Sequence, residues 1–215
     1  IITLDCGIKS HEQVGYARER GIDMIITDHH TPSQTLPEAV AVLNPKRADC
    51  SYLYKELCGC GIGFKLIQAL CIALDYPPER AYKYLDLVAL ATCADIVPLT
   101  GENRVLVAEG LRQINQRPTK VMDLLLATAK RPVEVRDLVF VAAPRINAAG
   151  RMQHAEKAVR FLTGQDLAEV ATLEYLNTVR KTTDEQITDE ALLMIEAQGE
   201  EEAPATVVFS PQWHK

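Results

Sequence analysis

Through roughly residue 45, apolar positions gather into short β-branched runs that each end in a polar cluster; beyond it they take the wider spacing of helices. IITL at 1–4 predicts a strand, and Asp5-Cys6-Gly7 after it is a turn signal. Ser10 with Gln13 matches a capping box, so a helix is expected from Ser10 to its stop at Gly21. Further strands are expected over 24–27 and 39–43. Strand, helix and strand within about 27 residues form a βαβ unit, which implies a parallel pair and a right-handed crossover.

The glycine-rich CGCG reads as a tight turn before a packed helix, and helices are expected over 63–74, 79–94, 103–115 and 119–129. VRDLVFVAAPRINAAGRM fits a strand or a helix equally, and a short helix is expected over 154–162. From 166 to 198 there is neither proline nor glycine, which favours one long helix, although the threonines at 182, 183 and 188 could divide it. EEEAP and an apolar strand in ATVVFS follow, so the helix reads as a connector into a second domain. The expected class is α/β, a parallel sheet flanked by helices, with a helix-rich second half and a long connector helix.

Composition narrows this picture. A chain of 215 residues, 47% of them apolar, can build one generous domain or one domain plus part of another. No run approaches the roughly eighteen apolar residues of a membrane span, and IITLDCGIKS lacks the basic start of a signal peptide. A cytoplasmic address is expected. The six cysteines show no paired C-x-x-C spacing and are expected to be reduced, mainly buried thiols. A net charge of −6 argues against holding a polyanion by bulk electrostatics, so any grip on nucleic acid must be local. Both ends read as cut.

The chemistry lies where the strands end. In a parallel sheet, ligands collect at the carboxyl ends of the strands, and Asp5 and Asp28 each stand at one. For Asp5 alone, a turn role outweighs a ligand role. For Asp28-His29-His30 the balance reverses, because two imidazoles after a buried run need partners that a metal supplies. A mixed carboxylate and imidazole set suits Mn, Fe or Zn ions better than an all-oxygen cage would. Asp95 ends an apolar helix, where the dipole disfavours an acid; a cation or Arg104 would relieve it, and the two stand even. PRINAAGRM carries arginines suited to phosphate, though an isolated pair in a loop is usually only solvated. GCGIGFK does not match the P-loop pattern.

LDCG, TDHH, NP, LCGCGIGFKL, LVALATCADIVPLTGENR and APRINAAGRM, in that order, resemble the DHH phosphoesterase superfamily. ADIVPL with GENR and then PRINAAGR narrows the resemblance to its RecJ-type single-stranded-DNA exonucleases. The resemblance implies a two-metal nuclease, using Mn2+ or Mg2+, that degrades single-stranded DNA from the 5′ end in recombination and repair. It implies that Asp5 bridges the metals, that His29 and Asp95 hold one of them, and that His30 faces the scissile phosphate while Asp28 orients its neighbours. Arg145, Asn147 and Arg151 would contact substrate phosphate. It also implies a catalytic domain over 1–163, a connector helix over 166–198 and the start of a second domain over 203–215. The family's first acidic motif, of D-x-D type, is absent from the chain, so at most one metal and no activity are expected of these residues alone. The rivals are a DHH enzyme acting on oligoribonucleotides, cyclic dinucleotides or pyrophosphate, and a noncatalytic binding relative; Asp5, His29 and Asp95 speak against the second.

Overall fold

β-Branched residues favour the pleated, half-buried setting of a sheet, and the three runs pair accordingly. In a computed structural model that describes residues 1–151, 155–200 and 202–213, with Arg151 as backbone alone, β1 (Ile2–Leu4), β2 (Ile25–Thr27) and β3 (Ala41–Leu43) form a parallel sheet in that order. Leu4 lies beside Thr27, and Thr27 beside Leu43. Hydrogen bonding runs one residue past each strand: the Asp5 amide donates to the Thr27 carbonyl and the Asp28 amide to the Leu43 carbonyl, both at 3.0 Å. Between β1 and β2, α1 (His11–Glu19) packs Val14 and Ala17 with Met24 and Ile26. The expected capping box does not form. Ser10 is the N-cap, but its ψ of 54° is not the extended conformation that would aim the hydroxyl at the first turn.

The main departure from the sequence reading is at CGCG. These glycines are the first turn of α2 (Gly59–Ala73), not a turn ahead of it, and Cys58 caps the helix by accepting from the Gly61 amide at 3.3 Å. Glycine lowers helix propensity by about 1 kcal/mol, so local reading takes it as a break. Here tertiary contact overrides propensity, since a Cβ on Gly59 would lie 2.5 Å from Asp5 Cβ.

A 3-10 segment, Pro78–Tyr84, leads into α3 (Leu85–Ala94), which packs on α4 (Gly101–Gln116). Leu57, Ile62, Phe64, Ala81, Leu85, Val88 and Leu106 make the core they share with α2. α5 (Lys120–Leu125) is shorter than expected; Thr119 caps it and donates its hydroxyl to buried Asp86 on α3 at 2.9 Å. The ambiguous stretch is helical: α6 (Val135–Asp137), a π turn (Leu138–Ala142) and α7 (Ala143–Arg151). α8 (Ala155–Leu162) and α9 (Glu169–Gln198) follow. The thirty residues of α9 span about 45 Å at 1.5 Å per residue. Thr183 and Thr188 do not divide it, because their hydroxyls donate back to the carbonyls of Val179 and Asp184 at 3.0 and 2.8 Å. The chain forms two compact units, Ile1–Ala143 and Pro144–Lys215.

Two expectations fail. No strand forms within 202–213, where Val207 and Phe209 stand exposed, because apolar β-branched residues make a strand only where a ladder partner takes up their backbone groups. All six cysteines are free, but only Cys58 and Cys93 are fully buried. Among the described residues no helix is long and apolar enough to cross a membrane.

Gly110 marks the tightest helix contact: a Cβ there would lie 2.3 Å from the Leu85 carbonyl and 2.5 Å from Ala89 Cβ. Gly110→Ala is expected to lower stability by about 1–3 kcal/mol through overpacking. Gly15→Ala in α1 meets nothing within 4 Å and is expected to raise it by up to about 1 kcal/mol. Denaturant unfolding of both variants checks the pair.

Candidate metal centre

The three-residue strands end together, so the residues just beyond them share a common rim. Asp5 comes directly after β1 with φ at 64°, a left-handed conformation that aspartate tolerates better than most residues. Beyond β2 the chain turns at Asp28-His29-His30, and the buried Asp28 carboxylate organises the turn. Its Oδ1 accepts from the amides of His29 and His30 at 2.8 and 3.1 Å, its Oδ2 from the Ile8 amide at 2.9 Å. Oδ1 also lies 2.7 Å from His30 Nδ1. Burial alone would raise the Asp28 carboxyl, but these hydrogen bonds hold it below the usual carboxylate range. Asn44, beyond β3, donates from Nδ2 to the His30 carbonyl at 2.9 Å and fixes the turn from the other side. Sequence reading missed Asn44; the NP just beyond β3 was its only signal.

This turn drives His29 inward and His30 outward. The His30 side chain is 58% exposed, while His29 is buried, and their ring centroids lie 4.5 Å apart. Two carboxylates converge on His29 Nε2: Asp5 Oδ1 at 3.1 Å and Asp95 Oδ2 at 3.4 Å. Ligand atoms of Asp5, His29 and His30 lie within 4.8 Å of one another. Asp95 caps the carboxyl end of α3, and its ionic neighbour is His29, not Arg104. The next residue, Ile96, is held at a φ of 57°, an unusual conformation for a β-branched side chain. Burial pushes the Asp95 carboxyl up against the opposing pull of His29, and Asp5 adds to the rise.

Both ring nitrogens of His29 are buried without a hydrogen-bond partner among the described residues, although two carboxylates stand near. Such a group is costly unless something else satisfies it. A divalent cation does, because it takes up Nε2 and neutralises Asp5 and Asp95 together, and the mixed nitrogen and oxygen donor set fits Mn2+. Beneath the cluster, burial raises the Cys58 thiol, pushes Cys93 up to about 11 and, with nearby negative charge, pushes Cys60 up to about 12. These thiols stay protonated and do not compete as ligands. The cluster is an open rim; none of its residues lines the cavity of about 610 Å³ between α2, the 3-10 segment and α4.

The predicted phosphate contacts belong to the second compact unit. Arg145 is buried and its Nε binds Glu174 of α9, so its guanidinium is engaged within that unit. Asn147 is exposed on α7 and lines a surface cavity of about 560 Å³ with Ile146, Gly150 and α8 residues. The side chain of Arg151 lies outside the described residues.

The chain is similar to proteins already known. Residues 1–92 match the DHH family, N-terminal domain. Over its whole length the chain is 36% identical to the single-stranded-DNA-specific exonuclease RecJ of Salmonella typhimurium and 39% identical to that of Bacillus subtilis. It spans 41% of the first relative and 27% of the second. A crystal structure of RecJ from Thermus thermophilus in complex with Mn2+ superposes with a TM-score of 0.85 at 38% identity, over 99% of this chain and 32% of that one. A Mg2+ complex from the same organism matches with a TM-score of 0.75.

The neighbours in the Asp-His-His turn should respond differently to substitution. His29→Ala removes two unpartnered nitrogens and is expected to weaken Mn2+ binding at least tenfold, with little loss of stability in the metal-free protein. Asp28→Ala strands three amides and is expected to cost several kcal/mol, at roughly 1–3 kcal/mol per unsatisfied buried group. Calorimetric titration with Mn2+ and thermal melts in chelator separate the two.

Asp95 adds a pH effect. Its folded-state affinity for a proton is raised, so in metal-free protein that stabilising contribution is present at acid pH and lost as pH rises through the folded value. Asp95→Asn is expected to raise the thermal midpoint in chelator at neutral pH, and the gain should shrink toward acid pH.

Proposed function

We propose that the chain, whose residues 1–92 match the DHH family, N-terminal domain, is the catalytic segment of a divalent-metal phosphodiesterase that removes nucleotides from the 5′ end of single-stranded DNA. One observation carries this reading: a buried imidazole with unpartnered nitrogens, set between two carboxylates at the carboxyl ends of a parallel sheet. In this reading Asp5, His29 and Asp95 would hold the divalent metal. When bound, Mn2+ or Mg2+ supplies a Lewis acid that polarises the phosphoryl oxygen.

The chain's own residues do the rest. The short contact between His30 Nδ1 and Asp28 fixes the ring, sets Nδ1 as the donor and leaves Nε2 facing solvent as the atom that meets the scissile phosphate or its proton. Asp28 therefore acts by orienting His30. By resemblance, Asn147 and Arg151 would contact substrate phosphate. Arg145 serves the same surface through its ion pair with Glu174 or by exchanging that carboxylate for phosphate. The catalytic domain runs over 1–163, the helix over 166–198 connects it to a second domain beginning near 203, and the enzyme works in DNA recombination and repair in the cytoplasm.

Arg145→Ala and Arg151→Ala are expected to weaken single-stranded-DNA binding while leaving Mn2+ affinity nearly intact. Arg145→Ala should also lower stability by about 1 kcal/mol or less, because Glu174 is half exposed and water screens the pair. In the complete protein, His29→Ala should abolish Mn2+-dependent release of nucleotides from 5′-labelled DNA. The 215 residues alone supply too few donors for two cations and should show no cleavage. Near-normal turnover by the His29 variant, or loss of metal with normal DNA binding in an arginine variant, would overturn the reading; cleavage by the 215 residues alone would overturn the donor count.

A further inference from the structure

The ligand set does not explain why α2 starts with glycine at 59, 61 and 63, each a weak helix former. The surroundings of the three differ. A Cβ on Gly61 would make ordinary contact with Leu57 at 3.4 Å, and one on Gly63 would press only the end of Leu4 at 2.8 Å. On Gly59 it would lie 2.3 Å from Asp5 Oδ1, 2.6 Å from its Cγ and 2.5 Å from its Cβ. Turning the carboxylate cannot relieve an overlap that includes Asp5 Cβ; the Asp5 backbone or the helix must retreat.

Neither is free to do so. Asp5 is tied to the sheet through its amide and held in the left-handed region. The first turn of α2 is tied by Cys58, whose Sγ takes the Gly61 amide and lies 3.4 Å from Thr92 Oγ1 on α3, three residues before Asp95. The oxygen that meets the overlap is the one 3.1 Å from His29 Nε2. The amino end of a fifteen-residue helix also favours a carboxylate laid on it.

We propose that Gly59 is a positioning residue of the metal centre: its missing side chain lets the first turn of α2 lie directly under Asp5 and aims Oδ1 beside His29 Nε2. This rests on reading Asp5 and His29 as metal ligands. The first turn of α2 is thus the floor of the site, and α3, through Thr92 and Cys58, sets its height.

A double-mutant cycle on the complete protein tests this, with Mn2+ affinity by calorimetry and thermal midpoint in chelator as readouts. Gly59→Ala is expected to weaken Mn2+ binding at least tenfold, and Gly63→Ala less than twofold. In an Asp5→Gly background, which removes Asp5 Cβ as well as the carboxylate, adding Gly59→Ala should change the residual affinity less than twofold. If Gly59→Ala does not fold, Asp5→Gly with Gly59→Ala should, since the overlap is gone. Equal losses in both backgrounds, failure of the double variant to fold, or unchanged affinity in Gly59→Ala would overturn the role of Gly59 while leaving the metal centre standing. Unchanged affinity in Asp5→Gly would remove the metal reading itself, and this role with it.

Discussion

The hydrogen bond from the Asp5 amide to the Thr27 carbonyl sets the geometry of everything at the site. It is the last rung of a parallel ladder, and it fixes which residue beyond β1 stands beside the turn beyond β2. A slip of one residue would reverse the faces of the strand and carry Asp5 away from His29. The ladder is only three residues long in each strand, so it cannot hold register alone. Apolar packing of Val14, Ala17, Met24 and Ile26 under α1 holds it instead. The position of the carboxylates is thus a product of the hydrophobic face on the other side of the sheet.

Much of this could be read along the chain. The β-branched runs and the turn signals after them gave the βαβ unit, its parallel pairing and the convergence of Asp5 and His29, because period-two patterning and strand-end chemistry are local properties. The long helix was legible for the same reason, from the absence of proline and glycine. What could not be read depends on contacts between distant segments. The glycine at 59 looked like part of a turn because its use is to admit Asp5, far earlier in the chain. Asn44 was missed because its partner is the backbone carbonyl of His30, in the turn beyond another strand. Arg145 looked free because nothing in PRINAAGR announces Glu174 one helix away.

Within the Asp-His-His turn, residues of similar chemistry have been assigned opposite environments. Asp28 is wholly enclosed and saturated with donors, whereas Asp5 and Asp95 lie partly open with oxygens crowding an imidazole. His29 is enclosed and unpartnered; His30 is exposed and tied by its near nitrogen. The enclosed aspartate gives rigidity, and rigidity is what allows the exposed histidine to keep one orientation toward solvent.

The openness of the rim has a consequence for what can be told apart there. His30 projects outward beside carboxylates that suit a cation, and such groups address the sugar-phosphate chain, which repeats identically from nucleotide to nucleotide. On the proposed reading, contacts of that kind carry no information about which base is attached, so the rim would meet every nucleotide through the part they all share.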